Sequence, residues 1–268
     1  MKAIEGTTCV DAWLKACDYL LSCTVDGWRA YTLVLEIAEP LALPDDDRAV
    51  VMLVDRFLAS RGAQPINSVV NTIFPASLYQ RYGATGLAQR YLTEIYPTLK
   101  RHRDWKWGTY AQRLFQRLDA TGADIKPLES LIGKVRGQLL LPGSQRAVYE
   151  LGTVEPFLDI PIYDPAQDRN RPLGGPCLTH LSVKLTADRR LMLTGFYRSH
   201  FYIQRTLGNL LGLAHLQHFI AKEAGLEIGP LVCHSSMAQL ETHSGKWGKG
   251  DIRDLITQAH ASRQPVAA

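Results

Sequence analysis

Three observations in the sequence predict an α+β fold. Helical and strand patterns alternate along the chain without a regular strand–helix–strand rhythm. A β-hairpin pattern stands in the second half, Leu181–Leu185 and Leu191–Tyr197 about a turn at Ala187-Asp188-Arg189. Behind it, from Gly208 to Ala224, Leu210, Leu211, Leu213, Leu216, Phe219 and Ile220 spread nearly all round a helix. A helix apolar on every side belongs at the centre of a domain, so the expected architecture is a mixed sheet packed against helices with a long buried central helix.

The elements follow in order. Val10, Trp13, Leu14, Cys17, Leu20 and Leu21 recur at helical spacing between Thr8 and Cys23. Asp26-Gly27 turns the chain into a strand, Trp28–Ile37, rich in β-formers. Asp45, Asp46 and Asp47 cap a helix from Arg48 to Arg61, which Gly62 ends. Residues 66–83, interrupted by Pro75, do not resolve into one type. Helices are expected over 86–101, 107–118 and 127–138, and a short strand over Arg146–Leu151. Residues 152–175 hold four prolines, three glycines and a polar run, which reads as loop. After the central helix come a short strand, Leu231–His234, and a terminal helix, Ile252–Ala261.

The chain has 268 residues, 46% of them hydrophobic and 21% charged, enough to bury a core without staples. A net charge of +4 is mildly basic; it suits an anionic small molecule and is too scattered for nucleic acid. Five cysteines without a CxxC pair read as reduced thiols in a cytoplasmic compartment. No secretion signal and no membrane span is expected.

Several residues carry chemical potential. Cys177 follows Gly174-Gly175-Pro176 and precedes a strand, where a thiol can be held within reach of a ligand. Its alternative is a small buried hydrophobe. Arg198-Ser199, preceded by Tyr197, closes the hairpin and could bind an anion or lower a nearby thiol's pKa; the alternative is a surface arginine. Asn209, after Leu207-Gly208, could cap the central helix or offer its amide to a base. His215 and His218 lie three apart on that helix, but no third and fourth ligand follows, so no metal is expected.

Pro176-Cys177, the hairpin, Tyr197-Arg198-Ser199, Leu207-Gly208-Asn209, a long apolar helix and Gly225-Leu226-Glu227-Ile228-Gly229 occur in one order with constrained gaps. This set resembles the catalytic half of thymidylate synthases and deoxycytidylate hydroxymethylases. Pro142-Gly143-Ser144-Gln145-Arg146 resembles the family's paired-arginine segment, with Gln145 in place of the first arginine, and Trp107-Gly108-Thr109-Tyr110 its glycine-tyrosine motif. The resemblance implies a single thymidylate synthase-like domain over 1–268, with a divergent part at 1–104 and a catalytic core at 105–262.

What the resemblance implies for function is a C5 methylation or hydroxymethylation of a pyrimidine nucleotide monophosphate. Cys177 would add to C6 and make C5 nucleophilic towards 5,10-methylenetetrahydrofolate, covalent catalysis of an inert ring carbon. Arg198 and Ser199 would hold the phosphate, and Arg146 would reach the site of the neighbouring subunit in a homodimer. Asn209 would read the base, with uracil favoured. Tyr110 and Asp55 are further catalytic candidates, and Trp105 and Trp107 candidates for stacking on folate. The register from Asn209 puts Gln239 and Glu241 where the family has its sugar-binding histidine and tyrosine. Phe201 replaces the family's aspartate after Arg-Ser, and the N-terminal arginine-threonine-glycine loop is missing. These departures point to a specialised enzyme. The alternatives are a nucleotide-binding relative without turnover, and cysteine chemistry at C6 without folate.

Overall fold

The computed structural model describes residues 1–101, 108–118, 121–153 and 176–263. Its centre is a seven-stranded mixed sheet in the order β1 (Lys2–Gly6), β2 (Arg29–Ile37), β9 (Glu227–Gln239), β7 (Arg190–Tyr197), β6 (Leu178–Leu185) and β5 (Tyr149–Gly152). A seventh strand, β8 (His200–Phe201), pairs with the far end of β9. A separate pair joins β3 (Arg117–Leu118) and β4 (Asp124–Ile125). The α+β expectation of a mixed sheet and a buried central helix holds.

The expected absence of strand–helix–strand units does not. Helix α1 (Cys9–Ser22) connects β1 to its parallel neighbour β2. The central helix, here α8 (Leu207–Ala224), connects β7 to its parallel neighbour β9. Two crossovers thus sit inside a sheet whose other pairings are mostly antiparallel. Strands β1, β3, β4 and β8 escape the sequence reading, β3 falling inside the helix expected over 107–118, and β9 runs far longer than the short strand expected.

Helix α1 starts at Thr8, whose side chain accepts from the Asp11 N–H, and buries Val10, Trp13, Leu14 and Cys17. The Trp13 indole N–H donates to the Tyr202 carbonyl at 2.7 Å, tying α1 to the segment that enters the central helix. Helices α2 (Asp45–Ser60), α3 (Ile66–Ile73) and α4 (Ala76–Arg90) follow, so the ambiguous stretch is helical on both sides of Pro75. The three aspartates occupy the first turn of α2, suiting the positive end of the helix dipole. Chain 91–95 forms a π turn leading to α5 (Tyr96–Leu99), and α6 (Tyr110–Phe115) and α7 (Pro127–Leu139) complete the middle of the chain. The terminal helix is α9 (Lys249–Ala261).

The central helix is buried on most sides, with Leu210, Leu213, Leu216 and Ile220 fully buried and a narrow stripe of His215, His218 and Lys222 at least partly exposed. Helix α3 lies directly against it because two residues have no Cβ. A Cβ on Gly208 would sit 2.8 Å from the Val69 Cβ, and one on Gly212 3.0 Å from the Ile73 Cβ. Close approach of these helices sets the depth at which the entry to the central helix, and Asn209 on it, is held.

Candidate active site

Cys177 lies just before β6, beside the C-terminal ends of the parallel strands β7 and β9, with the start of the central helix nearby. Crevices beyond strand C-termini are where α/β sheets commonly place ligands. The Cys177 N–H donates to the Tyr110 hydroxyl oxygen at 2.9 Å, and the Leu178 N–H donates to the same oxygen at 3.1 Å. The Arg198 N–H donates to the Cys177 carbonyl at 2.9 Å, and its Nε donates to the Pro176 carbonyl at 3.1 Å. Backbone on both sides of the thiol is therefore fixed by Tyr110 and Arg198. Tyr110 is buried on α6, where the Thr109 side chain caps the helix and also bonds the Tyr91 hydroxyl at 2.7 Å.

Burial pushes the Cys177 thiol above its ordinary pKa, and the guanidinium charges of Arg198 and Arg205 pull it back in part. At neutral pH the resting group is a thiol. The same burial raises the Tyr110 phenol well above its usual range, so it serves here as a hydrogen-bonding neutral group. Ser199 is half-buried next to Arg198, which is exposed.

Asn209 is not a helix cap. It is the third residue of α8, buried, and a π turn over Tyr202–Thr206 precedes the helix. Its Nδ2 donates to Nε2 of His200 at 2.9 Å. His200 Nδ1 in turn meets Ser235 Oγ at 2.9 Å, and its ring stacks on Tyr197 at 3.9 Å and 4°. Burial depresses the His200 pKa to about 3, so the imidazole is neutral.

Three residues named from the sequence already have partners inside the fold. The Glu241 carboxylate oxygens accept from the Ile203 and Gln204 N–H groups at 3.1 and 2.8 Å. Those N–H groups open the π turn and would otherwise be orphaned, so the nearest carboxylate takes them. Burial raises the Glu241 pKa to about 7 despite these bonds. Gln239 is likewise engaged, its Oε1 accepting from Arg29 Nε at 3.0 Å across β2 and β9. Asp55 caps α3, accepting from the Ile66 N–H at 2.7 Å. All three have partners inside the fold that no local pattern in the sequence reveals.

Arg146 is exposed, and its carbonyl accepts from the Leu185 N–H. That places it at the opposite end of β6 from Cys177, roughly 23 Å away at about 3.3 Å per strand residue. It does not belong to the Cys177 cluster of its own chain. Trp105 and Trp107 lie outside the described residues. Sequence reasoning missed Arg205, His200 and Ser235; a cation inside the apolar run from Tyr202 to Leu216 was the one available signal for Arg205.

Similarity to known proteins is partial. The chain is 35% identical over 65 residues to a protein of Methanothermobacter thermautotrophicus named "Putative thymidylate synthase", covering 24% of this chain and 29% of the relative. It is 32% identical over 79 residues to one of the same name from Methanothermobacter marburgensis, covering 30% and 35%. The chain resembles thymidylate synthases. The thymidylate synthase-like likeness is distant, and the chain spans about a third of the length of the relatives it matches. No family model matches it. Among the described residues, no helix is long and apolar enough to cross a membrane.

Proposed function

We propose that the protein is a thymidylate synthase-like enzyme that methylates or hydroxymethylates C5 of a pyrimidine nucleotide through a Cys177–C6 adduct. The observation that carries this reading is a half-buried thiol within the electrostatic reach of Arg198 and Arg205, its backbone fixed by Tyr110 and Arg198, with a buried amide at the start of the central helix. A binding module gains nothing from a thiol whose backbone is fixed on both sides.

In this reading Arg198, assisted by Ser199, binds the nucleotide phosphate through its planar fork. The Cys177 thiolate attacks C6; the S–C6 bond forms and the C5=C6 electron pair shifts towards O4 as an enolate. Asn209 donates its free amide N–H to O4, stabilising the charge where it develops. Tyr110 keeps the attacking loop in register by accepting both N–H groups. Methylenetetrahydrofolate is the proposed donor, supplying a one-carbon unit at the formaldehyde oxidation level. A cleft of about 220 Å³ lies beside Tyr91, lined by Gln64, Ser68, Asn71, Ile95 and Leu99. From Tyr91 in its wall, a hydroxyl bond reaches Thr109, whose neighbour Tyr110 bonds the Cys177 N–H. If bound, the folate would release the new carbon by cleavage of its C–N bond and supply the hydride for a methyl product, with water closing a hydroxymethyl product. C5 loses its proton and the Cys177 thiolate leaves C6, restoring the double bond.

The enzyme is proposed to act as a homodimer, with Arg146 delivered to the partner's phosphate site; its distance from its own Cys177 supports delivery in trans. Heterodimers of Cys177→Ala with Arg146→Ala should regain activity that neither parent variant has. The central test uses a 5-fluoropyrimidine nucleotide and intact mass. The native chain should gain the nucleotide's mass, with donor included if the adduct is ternary, and Cys177→Ala should gain none. Equal labelling of both would end the proposal. The raised thiol pKa favours a second reading, a nucleotide-binding relative without turnover. Release of tritium from C5 with and without methylenetetrahydrofolate separates the two, and release without donor would indicate cysteine chemistry independent of folate.

A further inference from the structure

A carboxamide alone cannot tell uracil from cytosine. Its edge offers one acceptor and one donor side by side, and turning the group by 180° exchanges them. Uracil presents N3–H beside the O4 acceptor, whereas cytosine presents an N3 acceptor beside an N4–H donor. Each base is matched by one of the two amide orientations. Selectivity therefore requires something behind the asparagine that prevents it from turning.

His200 occupies that place. Asn209 Nδ2 lies 2.9 Å from His200 Nε2, and a nitrogen carrying only donor protons must donate there. The neutral ring then carries its proton on Nδ1, 2.9 Å from Ser235 Oγ, which accepts it. Ser235 Oγ is itself 3.4 Å from the Tyr202 hydroxyl. The ring cannot swing away, because it is stacked on Tyr197 at 3.9 Å and meets Tyr202 edge-on at 5.5 Å. His200, Ser235, Tyr197 and Tyr202 are all fully buried or nearly so, so water does not offer a substitute partner. Reversing the amide would aim Oδ1 at a ring nitrogen that carries no proton. It would cost a hydrogen bond and set two lone pairs against each other unless His200 changed tautomer and Ser235 turned with it.

We propose that His200, its tautomer set by Ser235, is the positioning residue that holds Asn209 in one amide orientation and so makes the site selective between uracil and cytosine. This rests on the reading of Asn209 as the base-recognition residue. His200 does not touch the base; it acts through the asparagine.

The test has two arms on the full chain. Histidine labelled with nitrogen-15 reports the tautomer of His200 without any nucleotide, assigned by its loss in His200→Gln. Calorimetry reports affinities for uridine and cytidine monophosphates and their 2′-deoxy forms. The native protein should show Nδ1-protonated neutral His200 and at least a tenfold preference for the uracil nucleotide. His200→Gln retains a hydrogen-bonding partner for Asn209, but its own amide can turn. Its preference should therefore fall at least fivefold while the uracil nucleotide still binds, and Ser235→Ala should lower the preference less. An Nε2-protonated His200, or a preference within twofold of native in a folded His200→Gln, overturns the proposal. A native chain that binds no pyrimidine nucleotide refutes the proposed function and this inference with it. That outcome is recognisable because the tautomer is measured separately.

Discussion

Around Cys177 the site is half-open and ionic, whereas around His200 it is closed and held by directed hydrogen bonds. The thiol sits at the mouth of β6 with Arg198 exposed beside it, and opposing influences of burial and positive charge set its ionisation. The imidazole is sealed among Tyr197, Tyr202 and Ser235, and its neutral state follows from burial alone. The contrast matches the two tasks. A nucleophile has to be reached and has to exchange a proton, so solvent and mobile charge are useful there. A group that reads a base has to keep one orientation, and a dry, stacked environment keeps it. Glu241 lies between the two, its carboxylate closing the π turn that carries Arg205 towards the thiol while its neighbour Tyr202 packs on His200.

The largest expected effect lies on the ionic side. Arg198→Ala removes a charge-assisted anion contact of about 1.5–3 kcal/mol, so nucleotide monophosphate affinity should fall roughly tenfold to a hundredfold. Calorimetry against the unphosphorylated nucleoside checks that the loss tracks the phosphate. An equal loss for both ligands would mean that Arg198 supports the loop and not the anion.

Glu241→Ala comes next and tests the bridge between the halves. It leaves the Ile203 and Gln204 N–H groups without their acceptor and should cost about 2–3 kcal/mol of stability, read by denaturant unfolding. The carboxyl is raised in the folded state to about 7 from an ordinary value near 4.5. A raised folded pKa means that its contribution to stability is full below the ordinary value and lost as pH rises through about 7. The native protein should therefore show a falling component of stability across that window which Glu241→Gln lacks.

Tyr110→Phe should cost about 1–2 kcal/mol, since two N–H groups at the nucleophile lose one shared acceptor. The rate of Cys177 alkylation should change more than the thermal midpoint if the tyrosine serves the loop. Arg205→Ala should shift the pH midpoint of that alkylation further upward, because one of the two cations that lower the thiol pKa is removed. An unchanged midpoint would take Arg205 out of the ionic half. The smallest effect is expected at Asp55. Loss of its cap on α3 should cost about 1 kcal/mol, and a far larger loss of turnover at unchanged stability would return it to the catalytic set.

The sequence by itself determined what rests on short-range pattern. The apolar circumference of residues 208–224 specifies a buried helix. The turn at Ala187-Asp188-Arg189 specifies a hairpin, and the ordered Cys177, Arg198 and Asn209 carry the resemblance on which the proposed site rests. Each can be read because its cause lies within a few residues or a few constrained gaps. Tertiary structure decided the rest. Strand β1 is five residues whose stability comes from pairing with β2, some thirty positions away. His200 and Ser235 meet 35 positions apart, and Glu241 finds the π turn 37 and 38 positions back. Asp55 looked free to act on substrate until α3 folded against it. A polar side chain entering a fold takes the nearest unsatisfied partner, and which one is nearest is fixed by packing of elements distant in sequence.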